Sequence, residues 1–213
     1  MSQSERNPSP NLQVPPQQVV PQRPVVAEPS GNPNPLSGAA YSPQYNPQGM
    51  KVIPAYTSYP SQAYGVDATN NASPFKGVVF HHDPAANIKY YGTVDQQRGG
   101  QFGYHFAIAP DGTIYQTAPM NARTNHIGNR GFEGLNPNQP LDNSNSIGIT
   151  YLGGSTPTPS ATAAMQKLVQ SLNGTYGNLA LTSHPGVSKA GHRGDDEGRV
   201  WLQQMAKMGF KTM

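Results

Sequence analysis

Along residues 77–208 the apolar positions follow two periods, and before that stretch they follow neither. Gly77-Val-Val-Phe80 is a short apolar run that ends in His81-His82, the pattern of a buried strand with polar residues at its C-terminal end. Residues 103–117, GYHFAIAPDGTIYQT, predict two strands joined by a Pro-Asp-Gly turn. Ser146–Leu152, SIGITYL, predicts a further strand, and Leu179–Thr182 a short one that leads into Ser183-His184. Between them Ala161, Ala164, Met165, Leu168, Val169, Leu172 and Tyr176 recur at helical spacing, with Pro159-Ser160 opening the helix and Ser160 as its N-cap. A last helix starts near Gly198 and carries Val200, Trp201, Leu202, Met205 and Met208. Strands interleaved with helices predict an α/β class with a central mixed β-sheet flanked by helices. The stretch 119–145, rich in Asn, Gly and Pro, predicts a long surface loop, and loops of that length in compact domains are often functional.

Composition divides the chain in two. Fourteen of the 22 prolines fall in residues 1–74, whereas all six histidines lie at or beyond residue 81. Each proline removes a backbone donor and biases the preceding residue away from helix. The apolar residues of residues 1–60 come in pairs without a period, so this segment cannot bury enough area to offset its ordering entropy. The expected organisation is an extended or disordered, Pro- and Gln-rich arm over residues 1–74, followed by a folded body over residues 75–213. Val19-Val20, Val25-Val26, Tyr41, Tyr45, Tyr56, Tyr59 and Tyr64 are the arm's candidate anchors onto partner proteins.

Charge and motif searches narrow the chemistry. No apolar run reaches about 18 residues, so no membrane span is expected, and no basic segment followed by an apolar one signals secretion. The net charge of +3 comes without a Lys/Arg cluster, which does not argue for nucleic acid as a partner. Cysteine is absent, which excludes a disulfide scaffold and any thiolate metal site. Metal ligands would therefore be His, Asp or Glu. Histidines stand at element ends (His81-His82, His184) and in the glycine-rich segment 184–198, HPGVSKAGHRGDDEG, which also holds two Asp and one Glu and is able to fold around a metal.

Several motifs then line up in one order: VVFHH at 78–82, GYHFAIAPDGTIYQ at 103–116, NSNSIGI at 143–149, the helix ending LVQSLNGTY at 176, and TSHPGV at 182–187. Over residues 75–205 this set resembles the type 2 N-acetylmuramoyl-L-alanine amidases, zinc enzymes that include small phage amidases and the peptidoglycan recognition proteins. The resemblance implies a Zn2+-dependent peptidoglycan hydrolase that cleaves the amide between muramic acid and L-alanine. It implies His81 and His184 as metal ligands, and Tyr104 as the tyrosine that positions water or stabilises the tetrahedral intermediate. The third ligand of the family, commonly Cys or Asp eight to ten residues past the second His, falls on His192 or Asp196. The family's catalytic Lys is displaced, leaving Lys189 and Arg193 for its role. His82, His105 and His126 are expected to be structural or substrate-facing, with His126 able to contact substrate from the long loop. The implied setting is a phage enzyme, either carried in the virion with the arm docked on other virion proteins or released from the host cytoplasm to the cell wall at lysis. The competing reading is a peptidoglycan-binding or structural virion component of the same fold that does not cut.

Overall fold

The structure is a computed structural model that describes residues 45, 47, 49–55, 66–71, 74–84, 87–88, 103–127, 140–188 and 198–213. Within them eight strands and three helices follow one another along the chain. The strands are β1 (Val52–Pro54), β2 (Val66–Asn71), β3 (Gly77–Asp83), β4 (Phe106–Ile108), β5 (Ile114–Gln116), β6 (Ala122–Thr124), β7 (Ser146–Leu152) and β8 (Ala180–Ser183). The helices are α1 (Pro159–Tyr176), α2 (His184–Val187) and α3 (Arg199–Lys207).

Six strands form one mixed sheet in the order β1-β5-β4-β7-β3-β8. Strands β4, β7, β3 and β8 run parallel, and β5 returns antiparallel to β4 through the Pro110-Asp111-Gly112 turn. That turn is closed by Gly112 N donating to Ala109 O and by Thr113 N donating to the Asp111 carboxylate. The expected mixed sheet flanked by helices is therefore present. A separate antiparallel pair joins β2 to β6.

Alternation along the strands sorts side chains onto two faces. Val78 and Phe80 of β3, Phe106 and Ile108 of β4, Ile147, Ile149 and Tyr151 of β7, and Leu181 of β8 share one cluster with Met165, Leu168, Val169 and Leu172 of α1 and with Trp201 and Met205 of α3. This is the core under the helices, and the apolar stripe foreseen on α1 supplies it. The other face holds Val79, Ile127, Leu141 and Val187 in one patch, and Tyr104, Ala107 and Leu152 in another. His81, between Val79 and Asp83, belongs to that second face.

Three details differ from the sequence expectations. The N-cap of α1 is Thr158 rather than Ser160: its hydroxyl accepts from Ala161 N at 3.1 Å. Pro159 takes the first helical position, where a missing N–H costs nothing, so the cap moves one residue ahead of it. His81 and His82 form the polar C-terminal end of β3, as expected, and the ladder with β7 runs through His81↔Thr150 and His82↔Tyr151 as far as Asp83. The described parts of 119–145 are not surface loop: they include β6 and the buried residues Met120, Thr124, His126, Ile127, Leu141 and Asn143. Their polar groups are satisfied internally, as where Ile127 N donates to Asn143 Oδ1 at 2.8 Å, so Asn-rich composition does not expose them. Lastly, residues ahead of position 75 join the sheet, with β1 pairing parallel to β5 at its edge. Tyr45 stacks edge-on to Phe106 with ring centres 5.7 Å apart, and its hydroxyl lies 2.7 Å from Ser171 Oγ, so this tyrosine anchors onto the body itself.

Candidate active site

Strand register alone sets two histidines side by side. Strands β3 and β8 pair as Val79↔Thr182 and Phe80↔Ser183, so the next position brings His81 beside His184, where the chain leaves β8 and enters α2. Both imidazoles are buried, with ring centres 5.1 Å apart and planes tilted by 44°. Across β3 in the other direction, His81 stands opposite Thr150 and Thr150 opposite Ala107. Tyr104 enters from the residue pair ahead of β4, with its ring 4.6 Å from that of His81. The structure thus brings together three of the residues singled out from the sequence: His81, His184 and Tyr104. His192, Asp196, Lys189 and Arg193 lie outside the described residues.

The flanks of the segment 189–197 meet this site from both sides. At one flank Ser188 N donates to His184 O at 3.0 Å. At the other, Gly198 packs against the backbone of β3, and its φ of 76° puts it in the left-handed region. A Cβ on Gly198 would stand 1.9 Å from Phe80 O, so only glycine allows the chain to cross the strand there. The Gly198 N–H points to His82 Nδ1 at 3.4 Å, which gives His82 a structural contact at the start of α3.

Two further histidines support the site from beneath. His105 donates from Nε2 to Ala122 O at 3.1 Å, while its Nδ1 lies 3.2 Å from both Thr124 Oγ1 and the Gly148 N–H. Burial lowers its pKa to about 4, against a smaller upward pull from the Ala122 carbonyl, and keeps the ring neutral. His126 is also fully buried and packs on β7, where a Cβ at Gly148 would come within 2.6 Å of its ring. Its Nδ1 is 3.1 Å from His81 Nε2 and its Nε2 3.1 Å from Ser146 Oγ. Desolvation, then the neighbouring His81, His105 and His184, hold its pKa well below the ordinary imidazole value. His126 therefore turns inward, against the sheet.

Ser146, Gly148 and Thr150 of β7 were not singled out from the sequence. They alternate with the apolar Ile147, Ile149 and Tyr151, and that period of small and polar residues inside an otherwise apolar strand marks the site face. Thr150 is fully buried and its hydroxyl has no hydrogen-bond partner among the described residues.

The donor set suits a metal. Two imidazoles bound to one tetrahedral zinc through Zn–N bonds of about 2.0–2.1 Å have ring centres about 5 Å apart, and His81 and His184 match that separation. Among the described residues no three His, Asp or Glu side chains converge as a metal site, so a third protein ligand would come from outside them.

The chain also matches known proteins. Residues 71–203 match the family model Amidase_2, described as N-acetylmuramoyl-L-alanine amidase. The chain belongs to this family. Among solved structures it is similar to the N-acetylmuramoyl-L-alanine amidase LysC from Clostridium intestinale URNW, with 26% identity, a TM-score of 0.53, and coverage of 76% of this chain and 99% of that one. Two more distant structures share the fold. The Ph2119 endolysin from Thermus scotoductus MAT2119 bacteriophage Ph2119 has 18% identity and a TM-score of 0.53, covering 74% of this chain and 98% of that one. Drosophila PGRP-LB has 19% identity and a TM-score of 0.53, covering 76% of this chain and 96% of that one. No curated protein sequence matches significantly.

Proposed function

We propose that this protein is a zinc-dependent N-acetylmuramoyl-L-alanine amidase that hydrolyses the amide between the lactyl group of muramic acid and L-alanine of the stem peptide. The observation that carries the reading is the buried His81–His184 pair at metal-sharing distance, with Tyr104 against it, in a chain of the amidase family. His81 and His184 would hold the zinc, with His192 or Asp196 as third ligand from the segment whose flanks, Ser188 and Gly198, border the pair. A bound zinc supplies Lewis acidity, lowering the pKa of a bound water and polarising the scissile carbonyl. Tyr104 donates a hydrogen bond to the oxygen on which negative charge develops, and Lys189 or Arg193 adds a positive charge beside it. The sheet beneath keeps water from the buried side of both imidazoles, which strengthens each of these interactions.

The setting we infer is a phage enzyme acting on the host wall, in which the Pro-rich residues ahead of Tyr45 dock onto virion proteins and contribute location rather than chemistry, residues 52–54 being paired into the body's own sheet. Its support is the Pro-rich composition of the residues ahead of Tyr45. Among the described residues no helix is long and apolar enough to cross a membrane.

The test is digestion of purified peptidoglycan by the full chain, scored by release of L-alanine amino termini, before and after removal of metal with dipicolinate and again after adding back zinc. Loss on chelation and recovery with zinc is the expected result. Full activity in zinc-free protein overturns the mechanism, and binding to the wall without new amino termini assigns the chain to recognition instead of cleavage.

A further inference from the structure

We propose that His126 is a positioning residue that fixes the tautomer of His81, so that Nδ1 of His81 is the nitrogen presented to the metal. This rests on the reading of His81 as a metal ligand, and it follows from counting protons along one buried chain of contacts. Ser146 Oγ lies within hydrogen-bond distance of both the Asp142 carbonyl and His126 Nε2. A carbonyl only accepts, and a serine has a single proton, so that proton is committed to Asp142 O. Ser146 Oγ then faces His126 as an acceptor, and Nε2 of His126 must carry the hydrogen.

His126 is fully buried, and the described groups in contact with it are the His81 and His105 rings and the Ser146 hydroxyl, none of them a carboxylate that would hold a second proton there. A neutral imidazole has one N–H, so its Nδ1 is a lone pair. That lone pair stands 3.1 Å from His81 Nε2, which therefore donates to it. A neutral His81 with its hydrogen on Nε2 has its own lone pair on Nδ1. The direction of the whole relay is set at its far end, by a backbone carbonyl that cannot reverse.

The relay depends on two features of β7. Ser146 and Gly148 lie on the same face two residues apart, so the serine meets the far nitrogen of His126 while the glycine leaves room for the ring. The near nitrogen of that ring then falls against β3 at His81. Ligating histidines usually have the second nitrogen held by a carboxylate, a carbonyl or water. Here a second, neutral histidine does this, and a serine and a carbonyl anchor it.

Two readouts test the proposal. Long-range 15N–1H spectra of the metal-free full chain, with His81 assigned through His81→Ala, report its tautomer without any metal. Zinc affinity by competition with a chromophoric chelator reports the consequence. Wild-type protein is expected to show His81 with hydrogen on Nε2 only. His126→Ala should give a mixture of tautomers and bind zinc about 10–100-fold more weakly. His126→Asn, whose Oδ1 falls near the position of Nδ1 and accepts a hydrogen bond, should restore the single tautomer and most of the affinity. If the alanine variant does not fold, the wild-type spectrum and the asparagine variant decide. A wild-type His81 protonated on Nδ1 overturns the proposal, as does a folded His126→Ala protein with unchanged tautomer and affinity. A single Nε2–H tautomer in a wild-type protein that binds zinc no better than His81→Ala would instead retain the relay and overturn the metal reading on which its purpose rests.

Discussion

Acidification should destabilise this protein through His105, and the size of the effect can be worked out. The ring is fully buried, its pKa is lowered from an ordinary value near 6.5 to about 4, and the cause is loss of solvation for the charged form. Geometry adds to this, because a proton on Nδ1 would face the Gly148 N–H at 3.2 Å, a donor that cannot turn away. In the unfolded chain His105 titrates near 6.5. Above that pH both states are neutral and nothing is lost. As pH falls from about 6.5 to about 4 the unfolded state takes up a proton that the folded state refuses, so stability declines across that window. The gap of about 2.5 pK units is worth about 3 kcal/mol in full, of which about 2 kcal/mol is lost by about pH 5. The buried Trp201 offers a fluorescence signal for urea unfolding at about pH 7.5 and pH 5. His105→Gln retains a donor for the Ala122 carbonyl and cannot titrate, so its stability should fall less over the same interval, by about 2 kcal/mol. His126, shifted in the same direction, leaves both proteins some common pH dependence. Parallel pH profiles for wild-type and His105→Gln would refute the reasoning.

Other substitutions probe the site face. Gly148→Ala places a methyl 2.6 Å from the His126 ring and should cost about 1–3 kcal/mol, seen as a lower urea midpoint with an unchanged slope; a neutral effect would mean that the ring does not rest on β7. Thr150→Val removes a buried hydroxyl with no partner among the described residues and should stabilise the protein by about 1 kcal/mol, whereas a loss of stability would show that the hydroxyl is bonded. Tyr104→Phe removes the donor assigned to the developing oxyanion, so kcat on peptidoglycan should drop about 10²–10³-fold at unchanged zinc content. A wild-type rate for that variant would remove Tyr104 from the chemistry.

Local periodicity made much of this fold legible. The strand at Ser146–Leu152, the hairpin closed by Pro-Asp-Gly and the helix after Pro159 each announce themselves through neighbours a few residues apart, because side-chain alternation and helical spacing are properties of the chain itself. Motif order pointed to His81, His184 and Tyr104 for the same reason, since each is attached to a recognisable strand. Residues 45–55 gave no such signal: a three-residue strand and an isolated tyrosine become structure only when β5, Phe106 and Ser171 are there to receive them. The contact between His126 and Ser146 is likewise silent in sequence, because the two stand 20 residues apart and share no motif.

The amino-acid order was sufficient for the class of fold and for the family, and it named candidate side chains for the chemistry. The distances among those side chains came from the packing of distant strands. Register between β3 and β8 sets His81 beside His184, and the space above Gly148 seats His126 against both Ser146 and His81. The physical reason is that a residue's chemical type belongs to the chain, whereas which nitrogen holds a proton depends on which donors and acceptors the folded sheet places around it.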